Sequence, residues 1–310
     1  MTGSPTQPLV AVLTPAFNAA RYLDEAIRSV ETQTYPHWRL IIVDDGSTDD
    51  TAAIAARHTA ADPRISLIRQ PNGGISAARN ACLAQVPAAA AYAINFDADD
   101  RLAPEALAGL VAYMESHPAA GAVLCGARTM DGNGRISGAR RTLRFRRRAG
   151  LPWPMRGRGA IPFFNFYCGY GVGPFALFRA AALRAAGPYD PALISCEDAD
   201  VFCRLALATE VHQIPDRLYD YRWHATNSSH YDERNRRALE LFRAKWRGYE
   251  PRTPAEVRLL AQARAFFSGP HVAILNTKLA VAAVRERRGL GAAARHLRIA
   301  LAALLRRTPR

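Results

Sequence analysis

The 310-residue chain is long enough for one large α/β domain with an appendage, or for two modest domains. Its apolar fraction of 49% and charged fraction of 22% are typical of a globular protein and argue against a disordered chain. Residues 1–8 lack the basic start of a signal peptide, and no run of about 18 uncharged apolar residues follows, so we predict a cytoplasmic protein without a transmembrane helix.

The net charge of +14 is unevenly distributed along the chain. From Arg234 to the last residue there are 18 lysines and arginines against 4 acidic residues, and Arg140–Arg158 holds eight arginines and no acidic residue. The rest of the chain is acidic. Basic segments of this kind attract anions, so nucleotide phosphates, anionic lipid headgroups and nucleic acids are all compatible partners on charge alone.

Strand and helix patterns alternate along the first half of the chain. Short apolar runs predict buried strands at Leu9–Leu13, Leu40–Val43, Ile65–Ile68 and Ala91–Phe96. Amphipathic helical patterns lie between them, with Asn18 as the predicted N-cap of the first helix and Pro104 at the start of the fourth. This alternation predicts an α/β fold with a Rossmann-like, mostly parallel sheet and helices on both faces.

The second half of the chain opens with a hairpin-type turn at Asp131–Gly134 and an irregular segment rich in Pro, Gly and aromatic residues at Leu151–Gly173. Helical patterns return at Ala180–Ala186 and Asp198–Ala208. From about Arg234 onward we expect a helical C-terminal appendage. The five cysteines include no Cys-x-x-Cys pair, which favours reduced core thiols over a disulfide or zinc framework.

Two acidic motifs follow predicted strands. Asp44-Asp45-Gly46-Ser47 comes directly after the second strand, and Asp97-Ala98-Asp99-Asp100 comes after the fourth. In an open parallel sheet, ligands bind beyond the carboxyl ends of the strands, and an Asp-x-Asp there offers hard oxygen ligands for Mg²⁺ or Mn²⁺. Either motif alone could equally cap a helix or form a turn. Their occurrence together favours a ligand site.

Several motifs occur in order along the chain. The first, Val10–Thr51, VAVLTPAFNAARYLDEAIRSVETQTYPHWRLIIVDDGSTDDT, closely resembles the opening of family-2 glycosyltransferases. The later motifs are NGGISAARNACL (Asn72–Leu83), NFDADDRLAPEAL (Asn95–Leu107), GPFALFRAAALRAAGPYDPAL (Gly173–Leu193), CEDADVFCRLA (Cys196–Ala206) and YRWHATNSS (Tyr221–Ser229). The resemblance covers roughly the first three-quarters of the chain. It implies an inverting, metal-dependent transferase with the GT-A fold.

The resemblance implies a binding site for a nucleoside-diphosphate sugar of UDP or dTDP type. Pro15 and Phe17 would line the base pocket, with the Phe17 ring against the nucleobase. Asp45 would accept the base N3–H, and Arg79 would face a base carbonyl. Many relatives have Tyr where this chain has Phe17, and neither Asp45 nor Arg79 separates uracil from thymine. The identity of the base therefore stays open.

The same resemblance implies a catalytic centre with Mn²⁺ or Mg²⁺ as cofactor. Asp97 would lie close to the ribose and share the metal with Asp99, the expected direct ligand. Glu197-Asp198 matches an acidic pair whose second carboxylate is the catalytic base, so Asp198 would take this role at an ordinary pKa. His224 stands where some members place a metal or diphosphate ligand. A structural role beside its aromatic neighbours is the alternative.

The expected organisation is a catalytic domain at residues 1–233, with a nucleotide-sugar half at about 1–130 and an acceptor half at about 131–233, and a basic helical region at 234–310. The acceptor would be a hydroxyl of a saccharide, a lipid-linked molecule or a small molecule, in cell-surface glycan or glycoconjugate biosynthesis. A helix predicted at Leu290–Leu305 either packs on the catalytic body or makes peripheral contact with the inner face of an anionic membrane.

Two other classes of protein remain as alternatives. A catalytically silent nucleotide-sugar-binding protein would share the donor motifs but has no need of Glu197-Asp198. A basic protein that binds nucleic acid or a membrane surface would explain the charge but gives no role to the acidic motifs. The intact acidic pair favours an enzyme, with no nucleic acid partner expected. The transferred sugar, the acceptor and the oligomeric state stay open.

Overall fold

The fold is built on a mixed sheet flanked by helices. The computed structural model describes residues 7–136, 159–161, 163–167, 175–224, 227 and 233–266. The strands are β1 (Leu9–Ala16), β2 (Trp38–Asp44), β3 (Ile65–Arg69), β4 (Ala90–Asn95), β5 (Arg101–Leu102), β6 (Ala120–Asp131), β7 (Gly159–Ala160), β8 (Ala176–Arg179) and β9 (Glu210–Trp223). The helices are α1 (Leu23–Glu31), α2 (Thr51–Ala61), α3 (Ile75–Ala84), α4 (Ala106–Ser116), α5 (Phe164–Tyr167), α6 (Ala180–Ala186), α7 (Glu197–Ala208), α8 (Glu233–Arg247) and α9 (Pro254–Phe266).

The order of the strands in the sheet reverses at β1, because β2 and β3 lie on one side of it and β4 lies on the other. Along the sheet the order is β3-β2-β1-β4-β8-β6-β9-β5, and β7 also pairs with β9. Strands β1 to β4 pair in parallel, β8 runs antiparallel between β4 and β6, and β6 pairs in parallel with β9. The predicted mostly parallel sheet is confirmed. Because β2 and β4 lie on opposite sides of β1, the carboxyl ends of these strands form the crevice where open α/β sheets bind ligands.

Apolar side chains pack on both faces of the sheet, as the strand–helix alternation predicts. One face packs against α1, α2 and α4, whose buried residues include Leu23, Ile27 and Leu110. The other face packs against α3, α6 and α7. Removal of this apolar surface from water, worth about 25 cal/mol per Å², stabilises the two layers around the sheet.

The loops after β1 and β2 are joined through Asn18. The predicted N-cap role of Asn18 is wrong, because α1 begins at Leu23 and Asn18 has a left-handed backbone with a φ of 49°. The Asn18 side-chain oxygen instead accepts the backbone N–H of Thr48 at 2.9 Å, and the backbone N–H of Asn18 donates to Ser47 Oγ at 2.9 Å. Asn tolerates this backbone conformation better than most residues. The two loops at the crevice therefore hold each other in place.

The C-terminal region is helical as far as the structure describes it, in agreement with the prediction. Helices α8 and α9 extend the layer that contains α7, through Phe242, Trp246 and Leu260. Trp246 is 1% exposed and donates its Nε1–H to Asp200 Oδ1 at 3.0 Å. The first helix of the basic region is therefore joined to α7 by a buried aromatic side chain.

Several predicted features fall outside the described residues. They are the arginine-rich segment 140–158, most of the irregular segment 151–173 and the helix at 290–305. Among the helices that are described, none combines the length and the apolar run needed to cross a bilayer. The four cysteines in the described segments form no disulfide bond with one another.

Replacing Trp246 with alanine is expected to lower the free energy of unfolding by about 3–5 kcal/mol, because a large buried side chain is lost and a cavity remains. Urea denaturation followed by circular dichroism measures this change. The matched control is Leu241→Ala on the same helix, where the side chain is 51% exposed and the expected loss is below about 0.5 kcal/mol. Equal, small losses in both variants would show that α8 is not part of the folded core.

Candidate functional site

Three carboxylates follow β4 at the crevice. One ligand atom from each of Asp97, Asp99 and Asp100 lies within 4.8 Å of the other two. The Asp97 and Asp99 side chains are 28% and 27% exposed, whereas Asp100 is fully buried. Asp100 Oδ2 accepts the Tyr219 O–H at 2.8 Å, and Asp100 Oδ1 accepts the Arg222 N–H at 2.7 Å. Asp100 therefore supports the cluster, and Asp97 and Asp99 face the crevice.

Burial and crowding raise the pKa values in this cluster. Burial raises the pKa of Asp97 to about 6, because Arg79 offsets only part of the effect of burial and of the Asp99 charge. Burial together with the charges of Asp99 and Asp97 raises the pKa of Asp100 well above its usual range. A divalent cation would relieve the repulsion between these carboxylates, and carboxylate oxygens are among the ligands that Mg²⁺ and Mn²⁺ prefer. The residues present fit the predicted metal.

His224 extends the cluster from the end of β9. Its Nε2 lies 2.9 Å from Asp99 Oδ2, and the centroid of its ring lies 4.9 Å from that of Tyr22. The structure thus brings the imidazole and the Asp-x-Asp motif together. The role of His224 as a metal or diphosphate ligand stays a prediction, because the same contact also orients Asp99.

Asp45 organises the loop before α3 on the β2 side of the crevice. Its buried carboxylate accepts the backbone N–H groups of Gly73 and Gly74, each at 2.9 Å. The Gln70 side chain donates a further hydrogen bond to Asp45 Oδ1 at 2.6 Å. Gly74 has a φ of 83°, a conformation that favours glycine. The geometry of this loop therefore depends on the Asp45 carboxylate, in addition to any contact with a base.

Pro15 and Phe17 stand at the carboxyl end of β1, between the two acidic motifs. Pro15 is buried in the strand opposite Val43 of β2, whereas Phe17 is 52% exposed just beyond the strand end. A half-exposed aromatic ring at the crevice is suited to stacking on a nucleobase. The base-binding roles of Pro15, Phe17 and Asp45 stay predictions.

Arg79 links the two acidic groups of the site. Its guanidinium, on α3, is 5% exposed, with Nη2 3.3 Å from Asp97 Oδ1 and Nε 3.4 Å from Glu197 Oε1. Burial opposes the charge, but the two carboxylates outweigh it and raise the pKa of Arg79, so the guanidinium stays protonated. Its contact with a base carbonyl stays a prediction. The guanidinium faces the carboxylates because a buried cation is attracted more strongly by charges than by a neutral carbonyl.

Asp198 lies in the first turn of α7, beside Glu197. Its Oδ1 accepts the backbone N–H of Ala199 at 2.7 Å. Burial and the negative charge of Glu197 raise the pKa of Asp198 to about 7, and Arg79 offsets only part of this shift. The expectation of an ordinary pKa is therefore wrong. A carboxylate whose pKa lies near neutrality is a better proton acceptor than free aspartate.

Two tyrosines support the site without any signal in the sequence. The Tyr219 hydroxyl accepts the Asp97 N–H at 3.3 Å across 122 residues of chain. The Tyr189 hydroxyl accepts a hydrogen bond from Asn95 Nδ2 at 2.6 Å across 94 residues, and the Tyr189 ring lies 5.7 Å from the centre of the Arg79 guanidinium. Only the folded sheet brings these residues to the acidic cluster, so no local pattern could reveal them.

Comparison with known families identifies the chain. The model of glycosyl transferase family 2 matches residues 11–187. The chain belongs to this family. The matched segment of this glycosyltransferase runs from β1 to the end of α6 and contains Asp45, Arg79 and the Asp-x-Asp motif. Glu197, Asp198 and His224 lie beyond it.

Individual relatives agree with this assignment. The chain is 27% identical over 222 residues to a chondroitin synthase of Escherichia coli, which covers 72% of this chain and 30% of the synthase. The matches to two further curated relatives span 42% and 26% of their lengths. The segments that match this chain therefore cover less than half of the length of each of these proteins.

Two solved structures share the fold. A structure of S. aureus TarS 1–349 in complex with UDP-GlcNAc has a TM-score of 0.64 at 20% identity, covering 93% of this chain and 88% of that one. The mannosyltransferase PcManGT from Pyrobaculum calidifontis, in complex with GDP-Man and Mn²⁺, has a TM-score of 0.65 at 19% identity, covering 97% and 88%. These likenesses confirm the predicted GT-A fold.

Proposed function

We propose that this chain is an inverting glycosyltransferase that moves a sugar from a UDP- or dTDP-type donor to a hydroxyl acceptor. One arrangement carries the proposal: the Asp-x-Asp centre after β4 and the acidic pair on α7 are joined through Arg79. A transferase needs these two functions side by side, because the leaving diphosphate and the entering hydroxyl act on one carbon atom. The likeness to a chondroitin synthase supports a role in cell-surface glycan or glycoconjugate biosynthesis.

The donor site of this proposal is the crevice between β2, β1 and β4. Pro15 and Phe17 line the base pocket, and Asp45 accepts the base N–H while it holds the loop before α3. The complexes of the structural neighbours with UDP-GlcNAc and GDP-Man support a nucleoside-diphosphate sugar as the donor class. Because the two neighbours carry different bases, the base is best assigned by direct binding.

The metal of this proposal is Mn²⁺ or Mg²⁺, held by Asp97, Asp99 and His224. A bound ion would neutralise negative charge on the departing diphosphate. Asp99 is the expected direct ligand, because its partly exposed carboxylate is oriented by His224 Nε2 at 2.9 Å. The Mn²⁺ in the complex of the neighbouring mannosyltransferase supports this choice of cofactor.

The base of this proposal is Asp198. Its carboxylate accepts the proton of the acceptor hydroxyl as the hydroxyl oxygen attacks the anomeric carbon from the face opposite the diphosphate. A single displacement from that side inverts the configuration at this carbon. Burial and, after it, the charge of Glu197 raise the pKa of Asp198, and Arg79 contacts Glu197, so burial and the neighbouring charges together set the strength of the base.

The proposal is tested by incubating the protein with a panel of UDP-, dTDP- and GDP-sugars, Mn²⁺ and simple glycosides. Released nucleotide is quantified, and the anomeric configuration of any product is read by NMR. A product of inverted configuration supports the proposal, whereas a retained configuration contradicts a single displacement. Nucleotide binding without release from any donor would favour the catalytically silent binding protein.

We expect kcat/KM to rise with pH through an apparent pKa near 7, because only the ionised Asp198 accepts a proton. Glu197→Gln is expected to move this rising limb of the pH profile to lower pH, since the substitution removes a negative charge that raises the pKa of Asp198. Measuring kcat/KM of the wild type and of Glu197→Gln from about pH 5 to 9 tests both expectations. Glu105→Gln, an exposed acid before α4, should leave the limb in place. A limb that moves to higher pH in Glu197→Gln would contradict this electrostatic explanation.

The division into domains also stays a proposal. We keep a catalytic region at residues 1–233 and a basic helical region at 234–310, with the contact between Trp246 and Asp200 joining the two. Peripheral contact of the second region with an anionic membrane is likewise a proposal, because residues 267–310 lie outside the described part of the chain.

A further inference from the structure

Trp223 ends β9 at the same edge of the sheet as the acidic centre. Strands β4, β6 and β9 run in one direction, because β8 is antiparallel to both β4 and β6 and because β9 pairs in parallel with β6. Asp97 follows β4, and Trp223 is paired with Asp131 at the end of β6. Phe17, after β1, lies on the other flank of Asp97. Two exposed aromatic rings therefore flank the acidic centre, Phe17 at 52% and Trp223 at 46% exposure.

The backbone on both sides of Trp223 is held by one buried side chain. Asn227, which is 9% exposed, donates from Nδ2 to the Arg222 carbonyl at 2.9 Å and accepts the His224 N–H on Oδ1 at 2.5 Å. His224 in turn contacts Asp99 through its Nε2 at 2.9 Å. An exposed indole between two fixed peptide groups is preorganised, which lowers the conformational cost of binding a ligand on its face.

Trp223 also continues a line of aromatic side chains that starts at the acidic centre. Tyr219, Tyr221 and Trp223 share one face of β9, because alternate residues of a strand point the same way. The Tyr219 hydroxyl contacts the Asp97 N–H at 3.3 Å, and the rings of Tyr221 and Trp223 are 6.4 Å apart. Phe175 fills the space beside this line, with its ring 4.5 Å from Tyr219 and 5.9 Å from Tyr221. This line of aromatic side chains is buried at Tyr219, beside the acidic centre, and exposed at Trp223.

We propose that Trp223 forms an acceptor-side subsite on which a pyranose ring of a saccharide acceptor stacks. A pyranose presents a face of C–H groups with hydroxyls around its rim, which matches the flat apolar face of a half-exposed indole. The nucleotide already has Phe17 on the opposite flank, so the Trp223 side is left for the acceptor. This inference rests on the proposed transferase function and narrows the acceptor from any hydroxyl compound to a saccharide.

Trp223→Ala is expected to raise the KM for a saccharide acceptor about tenfold while changing donor KM and donor hydrolysis less than about twofold. Trp223→Phe keeps a flat ring and should stay within about threefold of the wild-type acceptor KM. The probes are the methyl glycosides of glucose, galactose, N-acetylglucosamine and N-acetylgalactosamine, with the donor that the wild type hydrolyses. Leu241→Ala, which removes an equally exposed apolar side chain from α8, is the control.

Titration of the nucleotide- and Mn²⁺-loaded protein with the same glycosides, followed by tryptophan fluorescence, gives a readout that needs no turnover. Quenching that Trp223→Phe removes supports the subsite. Quenching that persists in Trp223→Phe, or no quenching by any glycoside, overturns it.

The kinetic outcomes separate this inference from the proposed function. An acceptor KM unchanged in Trp223→Ala, with normal donor hydrolysis, overturns only the subsite. A matching change in donor KM or donor hydrolysis also overturns it, because Trp223 would then belong to the donor side. If the wild type neither binds a nucleotide nor releases one from any donor, the transferase function fails, and the subsite fails with it.

Discussion

Asp198→Asn is expected to lower kcat for transfer by about 10³-fold, because asparagine cannot accept the proton of the acceptor hydroxyl. The two side chains have nearly the same shape, and the carboxylate that is lost lies beside the like charge of Glu197. We therefore expect no loss of stability and unchanged affinity for nucleotide and metal. Initial rates of nucleotide release with acceptor, together with calorimetric binding of the nucleotide, measure both quantities.

Glu105→Gln is the matched control for this variant, since it also replaces an acid by its amide but lies exposed before α4. Turnover of Asp198→Asn close to that of the wild type would remove Asp198 from the role of base. Loss of nucleotide binding together with turnover would instead show that Asp198 supports the structure of the crevice.

Asp99→Asn is expected to reduce transfer at a fixed Mn²⁺ concentration by about 100-fold and to raise the Mn²⁺ concentration needed for half-maximal activity by at least about tenfold. An amide oxygen is a weaker ligand than a carboxylate, and the charge that binds the cation is halved if Asp97 alone remains. The substitution also weakens the contact of Asp99 with His224 at 2.9 Å. Titration of activity with Mn²⁺ in a chelator-treated sample measures the shift.

The same titration on Glu105→Gln separates the metal site from the general effect of removing a negative charge. If Asp99→Asn and the wild type respond to Mn²⁺ identically, Asp99 is not a metal ligand. Activity of the wild type that is unchanged by EDTA would contradict the metal requirement itself.

The fold and the positions of the acidic motifs could be predicted because both depend on local patterns. The short apolar runs predict the places of β1, β2 and β4 but not all of their ends, since β1 continues to Ala16, beyond the predicted end at Leu13. Asp45 and Asp97 follow two of these ends, and parallel pairing on either side of β1 is enough to bring them to one crevice. The helix faces followed from apolar periodicity in the same way.

The details that could not be predicted depend on contacts between distant parts of the chain. Asn18 has the residue type of a helix cap, but its partners at Ser47 and Thr48 belong to the next loop. The hydrogen bonds of Asn227 to the backbone on both sides of Trp223 likewise depend on where β9 ends. No sequence pattern reports the hydrogen bonds that fix such a turn.

The raised pKa of Asp198 was missed for a related reason. Its position beside Glu197 is visible in the sequence, but the burial that is the largest cause of the shift appears only in the folded protein. Arg79 on α3 likewise contacts Asp97, after β4, and Glu197, in α7, only in the folded protein. Charge networks of this kind are set by tertiary packing.

The most direct test of the central claim is calorimetric binding of UDP, dTDP and GDP, each with Mn²⁺ and again with EDTA. We expect UDP or dTDP to bind in the presence of Mn²⁺ and to lose most of its affinity with EDTA, because the diphosphate meets the Asp97 and Asp99 carboxylates only through a cation. Absence of binding by all three nucleotides under both conditions would contradict the assignment of the crevice as a nucleotide-sugar site.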